Sequence, residues 1–277
     1  MSQLLIKSIG TGLNSLSYVA PKASIKKALK LFSTPRKGRV SKNQNEFLST
    51  SEEKTIFYNS FPIQTYHWET KNPKGTILLA HGWESNSFRW KKLSKQLIEQ
   101  NYNIIAIDAP AHGKSGDKTF TAIQYAAFLN EVCNTYNPNH IIGHSVGGMA
   151  SIFFLHDYQN TSIEKLITLG APSEFDQIFL NYTNMMGYNK TISKGLDNYI
   201  FDNFGKFPSE FSSAKFSEKI SAKGLIIHDI KDKIIPFKEA ELIHKHYKNS
   251  TLLKTEGFGH GLKDQSVNDA IIKFLNQ

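Results

Sequence analysis

The feature that most constrains this chain is a serine between two glycines, placed where an apolar stretch meets an apolar helical segment. Residues 143–147 read Gly-His-Ser-Val-Gly, with Ser145 at the centre. Residues 140–142 are typical of a short buried strand, and residues 148–155 are typical of a buried helix. Glycines on both sides of a strained serine let strand and helix approach without Cβ clashes. The pattern predicts a sharp turn with Ser145 at a helix start, where N–H groups face developing negative charge. An ordinary tight turn with an incidental serine is the alternative that the motif alone leaves open.

Apolar stretches elsewhere in the chain alternate with helical patterns. The predicted strands cover residues 76–80, 103–107, 140–142, 166–169, 225–228 and 252–254. The predicted helices cover residues 88–100, 121–136, 146–155, 237–248 and 267–276. Two further strands, 55–58 and 63–68, form an antiparallel pair ahead of them. Short buried strands separated by helices predict an α/β fold with a mostly parallel central sheet and helices on both faces. Sites in such sheets lie beyond the carboxyl ends of the strands.

One gap interrupts the alternation, because no strand is predicted between Leu169 and Leu225. The gap is rich in Phe, Tyr and Met. A structureless loop of this length is uncommon inside a domain. We therefore expect an inserted helical cap at about residues 171–220. Its aromatic side chains pack the cap or face a pocket, and the sequence leaves both readings open.

The N-terminal segment carries the excess charge of the protein. Nine of the 33 Lys and Arg residues lie in residues 1–45, which contain no Asp or Glu, so the remaining 24 basic residues balance 24 acidic ones. We interpret residues 1–54 as a basic N-terminal helix and connector, and residues 55–277 as the main domain. Apolar residues between Ser24 and Phe32 recur at helical spacing opposite lysines, which predicts an amphipathic helix. It packs on the domain, lies on a membrane surface or forms a mobile arm. No nucleic-acid-binding motif accompanies the basic segment, so we expect no nucleic-acid partner.

The cellular setting follows from what the sequence lacks. There is no run of 18 apolar residues, and the first residues make a poor signal peptide. Cys133 is the single cysteine, which excludes a disulfide within the chain and fits a reducing compartment. We expect a cytoplasmic protein, with peripheral membrane contact through the basic helix as an open alternative.

A serine hydroxyl needs a base within hydrogen-bond reach, and that base needs an orienting partner. His260 lies in a glycine-rich loop after the last predicted strand and is our candidate base. His144 is next to Ser145, but neighbours across such a turn point apart. Asp229 and Asp232 follow the preceding strand, and we favour Asp232 as the acid. A carboxylate that forms a turn or caps the next helix is its alternative role.

A tetrahedral oxyanion needs hydrogen-bond donors. The backbone N–H of Val146, directly after the serine, is one candidate. The N–H of Trp83 is the second, because Gly82 permits a sharp bend after the strand at residues 76–80.

Five motifs in this order resemble those of α/β-hydrolase fold serine hydrolases, from about residue 55 to the C-terminus. They are His81-Gly82-Trp83, the stretch Asp108 to Ser115, the serine motif at 143–148, the stretch His228 to Pro236, and Gly259-His260. The resemblance implies a Ser145, Asp232 and His260 triad and structural roles for Asp108 and His112. Ala111 stands where the family usually has glycine, a departure in a structural turn.

The resemblance also limits the classes of reaction that we expect. Relatives that are dehalogenases or epoxide hydrolases carry Asp at the nucleophile position, so Ser145 argues against both activities. We expect a carboxylic ester hydrolase that acts on a small-molecule ester with a small or medium apolar acyl group and needs no metal or organic cofactor. A thioesterase, a lysophospholipase and a carbon–carbon bond hydrolase are alternatives on the same fold, and a non-catalytic binding protein is a further one.

Overall fold

A computed structural model describes residues 3–277 of the protein. The chain forms two compact units. The first contains the described residues up to Thr34 together with Glu174–Ser212, and the second contains Pro35–Ser173 and Ser213–Gln277. The inserted part of the first unit lies inside the stretch predicted as a cap. The segment predicted as residues 1–54 is divided between the two units.

The second unit is built on one eight-stranded sheet. Its strands are β1 Glu52–Tyr58, β2 Phe61–Trp68, β3 Thr76–Ala80, β4 Asn103–Ile107, β5 His140–His144, β6 Lys165–Leu169, β7 Lys223–Asp229 and β8 Ser250–Thr255. The spatial order is β1-β2-β4-β3-β5-β6-β7-β8. The β1–β2 and β2–β4 pairs are antiparallel, and all the other pairs are parallel. The predicted α/β class with a mostly parallel sheet is therefore confirmed.

Seven helices belong to the same unit among the described residues. They are α3 Lys42–Leu48, α4 Lys91–Glu99, α5 Ala122–Tyr136, α6 Val146–Tyr158, α9 Ser213–Ser217, α10 Lys238–His246 and α11 Gln265–Leu275. A 3₁₀ turn at Ser87–Trp90 leads into α4. Helix α6 is apolar all round and buried along most of its length, which is the environment of a helix enclosed by other elements. It carries Ser145 at its start.

Helix α3 was not predicted, because its sequence reads as a polar connector. The backbone N–H of Ser41 donates to the Gln44 side chain at 3.0 Å, which helps to cap the first turn. Phe47 stacks on Trp68 with ring centroids 5.3 Å apart, and Leu48 is fully buried. Two apolar residues in seven are too few for a period to be recognised, yet they fix this helix to the core of the second unit.

Four helices make up most of the first unit: α1 Gln3–Val19, α2 Pro21–Ser33, α7 Phe175–Met186 and α8 Lys190–Phe204. The ring of Phe32 in α2 lies 5.2 Å from that of Phe179 and 4.8 Å from that of Tyr182, both in α7. A Cβ on Gly195 of α8 would lie 2.2 Å from Ile25, so these helices also touch closely. The N-terminal amphipathic helix therefore uses its apolar face to pack on the inserted helices.

Helix α1 was also missed, because it contains Gly10 and Gly12 among Ser, Thr and Asn residues, all weak helix formers. A Cβ on Gly10 would lie 1.7 Å from the carbonyl oxygen of Met186, so glycine is required where α1 meets α7. The Asn14 side chain donates to Gly187 O at 2.8 Å and accepts the N–H of Asn189 at 2.9 Å. Packing within the unit thus compensates for weak helix propensity.

The packing of α2 bears on the predicted membrane contact. Its exposed face carries Lys22, Lys26, Lys27 and Lys30, whereas Ala28 is buried and Phe32 packs on α7. The lysines are free to meet an anionic surface, but the apolar face is occupied within the unit. Membrane contact therefore stays a prediction that rests on charge. Within residues 3–277, every helix is too short or too polar to cross a bilayer.

Candidate active site

Ser145 lies between β5 and α6 with a φ of 53° and a ψ of −126°. A positive φ is rare for a residue with a Cβ, and it persists only where the surrounding structure enforces it. A Cβ on Gly143 would lie 2.6 Å from the Cα of Gly148. A Cβ on Gly147 would lie 2.3 Å from the carbonyl oxygen of Ala80. Both glycines of the motif are therefore needed for the close packing that holds Ser145 in this strained turn.

Two hydrogen bonds join Ser145, His260 and Asp232 in a row. The Oγ of Ser145 lies 3.0 Å from Nε2 of His260. Nδ1 of His260 lies 2.7 Å from Oδ2 of Asp232. Because an ionised carboxylate only accepts, Nδ1 carries the hydrogen and Nε2 is left to accept the proton of the serine hydroxyl. The structure thus brings together the three residues that the sequence singled out.

The carboxylate of Asp232 is held in place on both oxygens. Its Oδ1 accepts the N–H groups of Ile234 at 2.8 Å and Ile235 at 3.1 Å. Its Oδ2 lies 3.4 Å from Nε2 of the buried His228. Burial by itself raises the pKa of Asp232, but hydrogen bonds from His228, His260 and these N–H groups outweigh it and hold that pKa well below its usual value. The carboxylate is therefore ionised and aimed at His260.

His228 was not predicted as part of the site. Its signals in the sequence are its place as the first residue of the motif His228 to Pro236 and its position near the end of β7, four residues before Asp232. Its Nε2 also lies 2.9 Å from the carbonyl oxygen of Ile235, so its hydrogen is shared between that oxygen and the Asp232 carboxylate.

Asp229, the weaker candidate for the acid, is engaged elsewhere. Its Oδ1 accepts the N–H of Lys231 at 3.0 Å. Its Oδ2 accepts the N–H of Phe258 at 2.8 Å and the hydroxyl of Thr255 at 3.1 Å. These contacts hold the loop that precedes His260, so Asp229 has the turn-forming role that was the alternative for Asp232.

Two side chains hold the backbone of the loop that carries His260. Nε2 of His144 lies 2.9 Å from the carbonyl oxygen of His260, and Arg89 donates to the carbonyl of Gly261 at 2.8 Å. Burial, above all, lowers the pKa of His144 well below its usual value, so its ring is neutral and donates through Nε2. His144, expected to point away from Ser145, thus contacts the backbone of His260. Arg89 was not predicted, because 172 residues separate it from its acceptor.

The loop after β3 passes directly beside Ser145. A Cβ on Gly82 would lie 2.9 Å from the Cβ of Ser145, so glycine is required at this crossing. Trp83 follows Gly82, and Val146 follows Ser145 at the first position of α6. N–H groups in the first turn of a helix have no partner within the helix. The two predicted oxyanion donors, the N–H groups of Trp83 and Val146, therefore belong to the residues that directly follow Gly82 and Ser145, which meet at this contact.

Two buried histidines fix that loop. Nδ1 of His81 donates to the carbonyl of Gly82 at 2.8 Å, and its Nε2 accepts the N–H of Ala109 at 3.0 Å. Nε2 of His112 accepts the N–H of Glu84 at 3.0 Å. A ring nitrogen that accepts an N–H must be unprotonated, so both histidines act in their neutral form. Burial is the main cause that lowers the pKa of each to about 4.

We expect the free energy of unfolding to fall as the pH drops from about 6.5 to about 4. In the unfolded chain these histidines bind a proton near pH 6.5, whereas in the folded chain they bind it near pH 4. The unfolded state therefore holds more protons in this window, and each histidine costs on the order of 3 kcal/mol across it. Above pH 6.5 this contribution is constant. Urea unfolding at a series of pH values measures the slope.

A matched pair of variants isolates the source of that slope. His112→Gln removes one titrating group and should flatten the slope by about 1.4 kcal/mol per pH unit. His244→Gln, at an exposed position on α10, should leave the slope as it is. An unchanged slope in His112→Gln would contradict the assignment of this pH dependence to the loop.

Asp108 organises the second motif from a fully buried position. Its Oδ2 accepts the Tyr66 hydroxyl and the Lys114 N–H, each at 2.9 Å, and its Oδ1 accepts the Ser87 hydroxyl at 2.7 Å. These contacts join the loop after β4 to strand β2 and to the 3₁₀ turn before α4, and they involve none of the three residues in the hydrogen-bonded row. Ala111 has a φ of 62°, where glycine is favoured, so this departure from the family pattern carries some backbone strain.

The fold and the motifs agree with comparisons to known proteins. Residues 75–204 match the family model of the α/β hydrolase fold. The chain is 22% identical to the bifunctional esterase/perhydrolase DCH of Acinetobacter calcoaceticus, over 83% of this chain and 99% of the relative. It is 30% identical to the pimeloyl-(acyl-carrier protein) methyl ester esterase of Vibrio vulnificus, over 39% of this chain and 42% of the relative. The match thus spans nearly the whole of one relative and under half of the other.

A solved structure shows the same architecture. The structure of Est1E from Butyrivibrio proteoclasticus with ferulic acid bound has a TM-score of 0.67 and 18% identity, and the match covers 81% of this chain and 100% of that one. At this identity the likeness concerns the fold. Together with the family match over residues 75–204 and the sheet order, it shows that the chain is an enzyme with the α/β-hydrolase fold.

Proposed function

We propose that the protein is a carboxylic ester hydrolase in which Ser145 is the nucleophile, His260 the base and Asp232 the acid that orients it. The observation that carries the proposal is the row of hydrogen bonds from Ser145 Oγ to His260 at 3.0 Å and from His260 to Asp232 at 2.7 Å. A strained serine at a helix start, beside a base with an ionised partner, is the arrangement that activates a hydroxyl for acyl transfer.

The first half of the reaction forms an acyl-enzyme. Ser145 Oγ attacks the ester carbonyl carbon while its proton passes to His260 Nε2. The N–H groups of Trp83 and Val146 donate to the oxyanion that develops on the carbonyl oxygen. Asp232 stabilises the imidazolium through Nδ1. The intermediate then collapses, and His260 gives the proton to the departing alkoxide.

The second half returns the serine. A water molecule gives a proton to His260 Nε2 and attacks the acyl carbon from the side that the alcohol has left. A second oxyanion forms in the same place and collapses to release the carboxylic acid, and Ser145 regains its proton from His260. The steps use only groups of this chain and water.

A small or medium apolar acyl group is the substrate class that we propose. The inserted helices leave the aromatic side chains of Phe201, Phe204 and Phe207 partly exposed on the first unit. Aromatic side chains of this kind line sites for apolar ligands. The names of the relatives, both esterases, point to the same bond type.

The test is a series of nitrophenyl esters of increasing acyl length, with the matching thioesters in parallel. We expect kcat/KM to rise with length over the short acyl groups, since each buried CH₂ adds about 0.8 kcal/mol of binding, and then to fall when the site is full. Because thioesters expose the same carbonyl to the same nucleophile, they measure whether the enzyme prefers the ester bond.

Each outcome assigns the bond type. Turnover of esters with a maximum at a short or medium acyl group supports the proposal. Faster turnover of every thioester than of its ester would replace the proposal with a thioesterase. Hydrolysis of neither series by protein with its native fold would contradict it.

A further inference from the structure

A groove of about 390 Å³ lies in the second unit, apart from the hydrogen-bonded row of Ser145, His260 and Asp232. It runs between the start of α4 and the start of α11, and we call it the α4–α11 groove. Seven residues between Phe88 and Lys95 line it, together with Leu169, Leu262, Lys263, Asp264 and Asn268. Its volume is in the range of small-molecule sites. Nothing in the proposed reaction uses it.

Apolar side chains make up one part of its lining. Leu93, Leu169 and Leu262 are buried there, and the rings of Phe88 and Trp90 lie beside them. An apolar lining of this kind favours a ligand with a hydrocarbon portion and disfavours a small hydrated ion.

Charged side chains make up the other part of the lining, and all but one of them are basic. Lys91, Lys92, Lys95 and Lys263 line the groove as exposed residues, and none of their ammonium groups lies within 4.0 Å of a carboxylate among residues 3–277. The ammonium of Lys91 lies over the rings of Phe47 and Phe88. Asp264 is the one acidic residue in the lining. Its Oδ1 accepts the N–H of Ser266 at 2.9 Å, so this carboxylate is engaged in capping α11.

Two buried donors in the lining also lack acceptors. Within residues 3–277, Nε of Arg89 and Nε1 of Trp90 are buried without a hydrogen-bond partner. The guanidinium of Arg89 has no carboxylate within 4.0 Å in that part of the chain, and burial lowers its pKa to about 9, so it remains charged at neutral pH. An excess of donors and positive charge is the environment that an anionic group complements.

We propose that the α4–α11 groove binds a medium-chain carboxylate, with its head group at Lys92, Lys95 and Lys263 and its chain against Leu93, Leu169 and Leu262. The excess of positive charge in the lining favours an anionic head group, and the apolar residues favour a hydrocarbon chain. The site adjoins the catalytic loops through two residues. Leu262 follows His260 by two positions, and the carbonyl of Leu169 accepts the N–H of Ser145 at 2.8 Å. The proposal concerns binding and does not depend on the proposed hydrolysis.

The test measures decanoate binding to the full chain by calorimetry, with decanol and inorganic phosphate in parallel. The variant Lys92→Gln/Lys95→Gln/Lys263→Gln should weaken decanoate binding at least about tenfold, since exposed ion pairs each contribute only a fraction of the affinity. Decanol should bind equally to this variant and to the native protein. The matched variant Lys238→Gln/Lys245→Gln/Lys248→Gln, changed at exposed lysines of and beside α10, should bind decanoate as the native protein does.

A second measurement locates the chain. The protein has three tryptophans, of which Trp90 lines the groove. Trp83 follows Gly82, whose backbone passes beside Ser145, and its ring contacts His112 and Phe120. Bromodecanoate quenches a tryptophan that it touches. We expect the quenching to be lost in Trp90→Phe and to survive in Trp83→Phe.

Three results would overturn the proposal. The first is unchanged decanoate affinity in the triple variant of the groove. The second is binding of decanol or phosphate to the native protein as tightly as decanoate. The third is quenching that disappears in Trp83→Phe and persists in Trp90→Phe, which would place the carboxylate at the reaction centre. Hydrolytic activity enters none of these readouts, so loss of the proposed function and loss of this site are distinguishable.

Discussion

Ser145→Ala is expected to lower kcat for ester hydrolysis by roughly 10⁵- to 10⁶-fold, the scale on which nucleophile removal acts in serine hydrolases. The variant keeps the strained turn at position 145, because alanine adds no atoms and Gly143 and Gly147 still allow the close packing around it. The fold should therefore persist. Initial rates on the best nitrophenyl ester, with thermal unfolding measured alongside, check both parts of this result.

Ser151→Ala is the matched control for that variant. Ser151 lies in the same helix, is fully buried, and donates to the carbonyl of Gly147 at 2.7 Å. Its loss removes one internal hydrogen bond, worth about 1 kcal/mol of stability, and should leave kcat near the native value. Turnover that persists in Ser145→Ala at the level of Ser151→Ala would remove Ser145 from the mechanism.

Asp232→Asn is the substitution with the second largest expected effect, a loss of about 10⁴-fold in kcat. An amide in place of the carboxylate no longer stabilises the imidazolium, and its NH₂ group disfavours the tautomer in which Nδ1 of His260 carries the hydrogen. KM should change little, because the carboxylate lies on the far side of the imidazole from the serine. Steady-state kinetics that separate kcat from KM make this measurement.

Asp229→Asn tests whether the effect belongs to this carboxylate. Asp229 is fully buried and is the last residue of the strand that Asp232 follows, but it contacts Lys231, Thr255 and Phe258 rather than His260. The variant should lose stability, on the order of 1–3 kcal/mol for a disturbed buried acceptor, and should keep kcat per folded molecule. The reverse pattern, with a large kcat loss in Asp229→Asn and a small one in Asp232→Asn, would show that the acid is misassigned.

The local sequence pattern was sufficient to predict the strands of the sheet in the second unit. Strands β3 and β4 begin and end where their apolar runs do, at Thr76–Ala80 and Asn103–Ile107. Such runs are short, continuous and flanked by polar or turn residues, so period and length distinguish them from helices. The turn at Ser145 was equally predictable from the sequence, because its two glycines are close in sequence and each is required for steric reasons.

The N-terminal helices show where local pattern fails. Helix α1 has weak helix formers, and its stability depends on contacts such as Gly10 against Met186, which are distant in sequence. The predicted amphipathic helix exists, but its apolar face offered no indication of what would cover it. Only the structure shows that Phe32 packs on Phe179 and Tyr182.

The residues of the candidate site also differ in how far a local sequence pattern predicts them. Ser145 and His260 were recognisable because each lies in a glycine-rich context at a strand end. Asp232 could be preferred to Asp229 but not distinguished from it with certainty, since both lie at the carboxyl end of one strand. Contacts of His144 and Arg89 with the loop of His260 depend on tertiary approach across 116 and 172 residues, for which a single sequence has no signal.

We infer that the row Ser145–His260–Asp232 activates the serine hydroxyl. Labelling of the native protein with a fluorophosphonate, with Ser145→Ala and Ser151→Ala alongside, tests this claim most directly, because the probe reacts covalently with an activated serine and needs no knowledge of the substrate. We expect one label per chain in the native protein and in Ser151→Ala, and none in Ser145→Ala. A native protein that takes no label, or a Ser145→Ala variant that is labelled as fast as the native protein, would contradict it.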